Sequence, residues 1–247
     1  MLLGEPPRTQ GDLNFSLFRI PIRVHPFFWL IAVLLGMNSG SAQELLVWIV
    51  ALFVAILVHE LGHAVAMRLY GYQPWITLYG LGGVTSRNAS PFGRAGHSGP
   101  MEQILVSFAG PGAGFLLAGL IIGGIILSGH QIAFTPGGAF GVRIAMEEIG
   151  SATLTELLFQ MLFISTIWGA VNLLPVYPLD GGHIAREILV TVNPGEGIRH
   201  SLMLSIFTAV VMAVLGVMRF GSIWIAILFG YMAYISYVTL QAYTGRR

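Results

Sequence analysis

Long apolar runs separated by short polar breaks set the pattern of the chain. Runs at Pro26–Met37, Gln43–Tyr70, Met101–Ser128, Leu154–Asn172, Ser201–Val217 and Ser222–Tyr243 predict six helices. About 20 apolar residues cross the roughly 30 Å hydrocarbon layer of a bilayer, so most of these runs are long enough to span it. The first is short, but counted from Val24 to Asn38 it crosses if tilted or if the bilayer thins around it. Between the second and third runs, residues 72–86 alternate weakly and carry Gly80, Gly82 and Gly83. They predict a strand or hairpin lying at the membrane. Residues 88–100 and 129–153 predict loops, and 184–192 a short helix. Residues 1–24 predict an extended or amphipathic lead-in, with Phe15, Leu17, Phe18 and Ile20 on the membrane surface and Arg19 and Arg23 among headgroups. The expected fold is an all-α integral membrane protein of about six transmembrane helices, with a small membrane-associated β hairpin or sheet between helices 2 and 3. It forms a single polytopic domain over residues 1–247.

Composition agrees. Of 247 residues, 55% are hydrophobic and only 9% charged, against about 25% charged in soluble domains. The absence of cysteine excludes disulfides and thiolate chemistry. A net charge of +1 gives no reason to expect a nucleic acid partner. The polar, proline-containing start is not expected to be a cleavable leader. Topology follows from the twelve positive charges, all arginines. With six spans and a cytoplasmic N-terminus, only Arg143 and Arg219 fall on the far side, a clear positive-inside bias. Both termini are then expected in the cytoplasm, and the membrane is expected to be a bacterial plasma membrane.

The second run contains His59-Glu60-Leu61-Gly62-His63. Helix positions four apart share a face, so both imidazoles reach one metal ion, and Glu60 stands beside them. A lone histidine in an apolar helix is ordinarily a polar contact with a neighbouring helix. Three ionisable groups in H-E-x-x-H spacing are too costly in a membrane segment for that explanation. Glu60 is placed to act as general base for a hydrolytic water.

A catalytic zinc site takes three protein ligands. Asp180, where prolines and glycines break the fourth run, is the first candidate for the third, although an aspartate before glycine is also common in plain turns. His183 is the second candidate. The twelve residues 172–183 thus form a broken-helix ligand loop. Asn172 either donates to a substrate backbone or oxyanion, or closes its own helix end. Ala109-Gly110-Pro111-Gly112-Ala113-Gly114 in the third run predicts close helix packing. His25 is expected to be interfacial, with a gating or substrate role as the alternative.

The pair His59-Glu60-Leu61-Gly62-His63 and Asn172-Leu173-Leu174-Pro175…Pro178-Leu179-Asp180-Gly181-Gly182 resembles the site-2 protease family of intramembrane zinc metalloproteases. Phe108-Ala109-Gly110-Pro111 resembles a third family motif. The opening Ile20–Pro26 is similar to the compact subgroup that includes the sporulation factor protease, without a PDZ or appended regulatory domain. The resemblance implies one zinc ion held by His59, His63 and Asp180, with Glu60 as catalytic base. It implies a single-span membrane protein as substrate, cleaved within its transmembrane segment. It further implies that Asn172 and Pro175 engage an unwound substrate, and that residues 72–86, with Gly82 and Gly83, form an edge strand to which substrate adds. The family often has an asparagine shortly after Gly-Pro; here Gly112, Ala113 and Gly114 stand there. Oligomeric state has no signature in the sequence. Two other functions remain open: a catalytically silent scaffold or chaperone for transmembrane helices, which has no use for Glu60, and a metal transporter, which needs polar residues along more helices than this chain offers.

Overall fold

A computed structural model describes residues 5–80, 82–88, 99–138 and 142–245. In chain order the elements are β1 (Leu13–Leu17), β2 (Ile20–Val24), α1 (Pro26–Leu35), α2 (Ala42–Leu69), β3 (Gln73–Tyr79), β4 (Gly82–Asn88), α3 (Pro100–Leu127), β5 (Ile132–Pro136), β6 (Val142–Met146), α4 (Ala152–Asn172), α5 (Asp180–Val192), α6 (Gly197–Met218) and α7 (Ile223–Thr244). Five of these, α2, α3, α4, α6 and α7, are long and apolar enough to cross a membrane.

The expected sixth span is the short helix α1, of 10 residues. At 1.5 Å per residue it covers about 15 Å, half a hydrocarbon layer. Val24, counted above as helical, belongs to β2, where it pairs with Leu13 and Leu78. His25 then caps the helix, its Nδ1 accepting the Phe27 N–H at 3.1 Å. Pro26 starts the helix where a missing N–H costs nothing. The histidine expected at the interface also serves as a helix cap.

Of the two forms expected for the lead-in, residues 13–24 take the extended one and form a β hairpin. The sheet has four strands in the order β1-β2-β3-β4. β1 and β2 are antiparallel, β2 and β3 parallel, and β3 and β4 antiparallel. Phe18 and Arg19, at φ 51° and 60°, make the tight β1–β2 turn. A further ribbon, β5–β6, occupies part of the 129–153 stretch expected as loop.

The residues group into two compact units. The first holds β1–β4, α1, α2, α3 from Ala109 onward, and α4 as far as Gly169. Its core is the inner face of the sheet, Ile20, Ile22, Val24, Ile76 and Leu78, packed with α1 and α2 residues such as Phe28, Ala32, Ala55 and Ile56. Ser41 and Glu44 form a capping box at the start of α2. The Ser41 Oγ accepts the Glu44 N–H, and Glu44 Oε2 accepts the Gly40 N–H at 2.9 Å. At the other end Gly71, at φ 85°, closes α2, its N–H donating to the Arg68 carbonyl at 2.9 Å while the Tyr72 N–H donates to the Met67 carbonyl at 3.1 Å. α1 runs antiparallel along the first half of α2. Phe28 packs edge-on against Phe53, while the Trp48 indole N–H donates to the Ala32 carbonyl at 3.1 Å.

The second unit holds the start of α3, α5, α6 and α7. α6 and α7 pack as a hairpin around Ala209 and Phe229, which also bury Val176 of the α4–α5 loop. Two buried serines hold that loop. Ser205 Oγ of α6 accepts the Tyr177 N–H at 3.1 Å, and Ser236 Oγ of α7 donates to the Tyr177 carbonyl at 3.3 Å. Within apolar helices these hydroxyls supply partners for the loop backbone.

Candidate metal centre

His59, Glu60 and His63 lie on the buried side of α2, at 4%, 5% and 7% exposure. The two imidazoles converge, with Nε2 of His59 and Nε2 of His63 only 3.2 Å apart. Two nitrogens at Zn–N distances of about 2.0–2.1 Å, spanning a tetrahedral angle, stand roughly 3.3 Å apart, so this pair fits zinc. Neutral imidazoles and a carboxylate are also the donor types that zinc takes at hydrolytic sites.

Glycine on α3 makes room for this arrangement. A Cβ on Gly110 would collide with His63 Nε2 and stand 2.5 Å from Cε1. On the facing helix, a Cβ on Gly62 would meet the Ala109 carbonyl and the Ala113 methyl. The small-residue run of α3 thus brings that helix's backbone directly against the His63 ring.

The sheet delivers Glu60. Thr85 of β4 donates to Glu60 Oε2 at 2.7 Å, and its hydroxyl also lies 3.1 Å from the Glu60 carbonyl oxygen. A Cβ on Gly83 would stand 2.5 Å from Glu60 Cγ and 2.8 Å from Oε1. The β4 backbone therefore rests on the carboxylate, and only glycine permits it. Gly82 faces the Trp168 ring, 3.2 Å from where its Cβ would be. Thr85 carries no local signal in the sequence, because its partner lies on a different element.

Asp180 begins α5 instead of lying within an irregular break, and its carboxylate sits in the first helical turn, where the helix dipole favours it. Gly181 and Gly182 are helical and buried. Their role is close packing. A Cβ on Gly182 would stand 2.6 Å from the Tyr177 nitrogen, and one on Gly181 would strike the Leu173 and Leu174 carbonyls. Asn172 is the buried last residue of α4, and Pro175 lies in the loop that follows. His183 is exposed on α5, its ring 5.6 Å from that of Tyr177. Among the described residues one ligand atom each of His59, His63 and Asp180 lies within 4.8 Å of the others, and His183 is not in that group.

Residues 47–216 match the model of peptidase family M50. The chain belongs to peptidase family M50. Among M50-related proteins, it is 28% identical over 178 residues to a zinc metalloprotease of Methanocaldococcus jannaschii, covering 71% of this chain and 44% of that protein. It is 29% identical over 172 residues to stage IV sporulation protein FB of Bacillus subtilis, covering 67% of this chain and 46% of that protein. The chain thus spans less than half the length of these curated relatives. The site-2 protease from Methanocaldococcus jannaschii shares its fold, with a TM-score of 0.57 at 22% identity over 93% of this chain and 95% of that one. M50 membership makes this an integral membrane protein of a zinc metalloprotease family, and the five apolar helices agree.

Proposed function

We propose that this chain is an intramembrane zinc endopeptidase that hydrolyses the transmembrane segment of a single-span membrane protein, releasing a regulator or clearing a remnant peptide. The observation that carries the proposal is the buried pair of converging imidazoles with the Glu60 carboxylate held beside them. In this reading His59, His63 and Asp180 hold the ion. Zinc bound there supplies Lewis acidity toward a peptide carbonyl and toward water. Glu60 takes the proton from the attacking water and passes it to the leaving amine nitrogen. Burial of all three α2 side chains keeps bulk water from competing.

Substrate enters as an extended strand beside β4, which pairs only with β3 among the described residues. Asn172 and Pro175 engage the peptide where it is unwound. A cytoplasmic N-terminus agrees with the arginine bias, although Arg94, Arg246 and Arg247 in that count lie outside the described residues. α1, at half length, is packed against α2 and the sheet in one core.

The test is to purify the protein, measure zinc, and compare wild type with E60Q on a panel of single-span peptides. Wild-type zinc content with cleavage lost in E60Q is the expected result, and equal cleavage by both overturns the assigned mechanism. D180N is expected to lower zinc occupancy; unchanged metal content removes Asp180 from the ligand set.

A further inference from the structure

β4 presents two edges of chemistry at once. Its outer backbone is the side available to a substrate strand, and its inner face, at Gly83 and Thr85, lies on the carboxylate of Glu60. Register places Thr85 opposite Ile76 and Gly83 opposite Leu78, both fully buried, so the strand is pinned at this point by the sheet core. A carboxylate on a helix retains free rotation about its last bonds. In an apolar environment, a single well-placed donor decides where it points.

We propose that Thr85 is the positioning residue for Glu60, and that it ties the orientation of the base to the strand on which substrate docks. This rests on the function proposed above. At 2.7 Å the hydroxyl donates to Oε2, a well-formed O–H···O hydrogen bond. That leaves Oε1 as the atom that accepts the proton from water. Oε1 is also the oxygen beside Gly83, where the missing side chain leaves space. The Glu60 carbonyl at 3.1 Å gives the same hydroxyl a second acceptor. Thr85 therefore stays satisfied when the carboxylate swings toward the leaving amine, and the movement costs no buried, unmade hydrogen bond. A substrate strand that shifts β4 moves Thr85 and Gly83 together, and with them the base.

The experiment uses the full chain in detergent with T85V, T85S, E60A and the double variant T85V/E60A. In the zinc-loaded protein, T85V is expected to lower kcat by roughly ten- to hundredfold, the size of one lost charge-assisted hydrogen bond, with KM within about twofold. T85S, which keeps the hydroxyl, is expected to restore kcat. Zinc content should match wild type in both. In chelator-treated protein, T85V is expected to lower the unfolding midpoint more in wild type than in E60A, because the two side chains interact. An unchanged kcat in T85V, a loss confined to KM, or equal midpoint shifts in both backgrounds overturns the proposal. Should T85V not fold, T85A is read by the same criteria. E60Q separates the two levels: if it cleaves normally, the proposed function itself fails; if it is inactive while T85V is normal, only the role of Thr85 fails.

Discussion

At the scale of single residues, this site is shaped as much by missing side chains as by those present. Gly110 and Gly83 each stand where a methyl group would enter the space of a reactive side chain, His63 in one case and Glu60 in the other. Backbone cannot yield as a flexible side chain does, so the ring or carboxylate must move. G110A is therefore expected to cut zinc occupancy severalfold while helix content is kept, measured by metal analysis beside circular dichroism. His59, Glu60 and His63 were legible in the sequence because their spacing is local: one helix turn places both imidazoles together. Gly83 and Thr85 were not legible in these roles. Their partner is on α2, and only the register of β4 against Ile76 and Leu78 reveals it. Gly83 and Gly82, expected at the substrate strand, also lie against Glu60 and Trp168.

At the scale of elements, the long helices α2, α3, α4, α6 and α7 were readable from their apolar runs, because a span needs length and apolarity and little else. α1 was over-read for the same reason. The count from Val24 to Asn38 took Val24 into the helix, whereas its place in a strand comes from a partner, β3, far along the chain. The α4–α5 loop shows a different element-scale device. Two hydroxyls, one from each helix of the α6–α7 hairpin, hold a single residue, Tyr177, just ahead of Asp180. Each hydrogen bond contributes about 1 kcal/mol. The pair S205A and S236A together is expected to loosen the loop and weaken zinc binding several-fold. Competition with a chelator of known affinity measures that, and an unchanged affinity would show that the first turn of α5 holds Asp180 without help.

At the scale of the whole molecule, the N-terminal segment is fastened by polar contacts to strands distant from it in sequence. Glu5 Oε1 accepts from the Trp75 indole N–H and the Ser86 hydroxyl, and its other oxygen lies 3.6 Å from Arg23. Arg23 also donates to Asp12 at 3.2 Å. The Thr9 hydroxyl, aided by the Thr9 amide and by Arg23, holds the Asp12 carboxyl below its ordinary value of 3.8, against a smaller opposing effect of burial. A carboxylate lowered on folding stabilises the fold above its unfolded value, and the contribution is lost as pH falls through the folded value. The contribution of Asp12 to fastening the segment is therefore expected to be complete at neutral pH and to be lost below about pH 3.8. Hydrogen exchange of β1 against pH measures the step, and D12N should abolish it.

The parallel pairing of β2 with β3 also carries a consequence for how the chain is made. Ile22 meets Ile76 only after α1 and α2 have both left the ribosome. The β1–β2 hairpin must wait with an unsatisfied edge while about two helices are inserted. Since α1 and α2 lie in the chain between two parallel strands that pair, both have to be in place before β2 and β3 meet. Any agent that delays α2 prolongs the exposure of that waiting edge, and early synthesis is the time at which this chain is most open to aggregation.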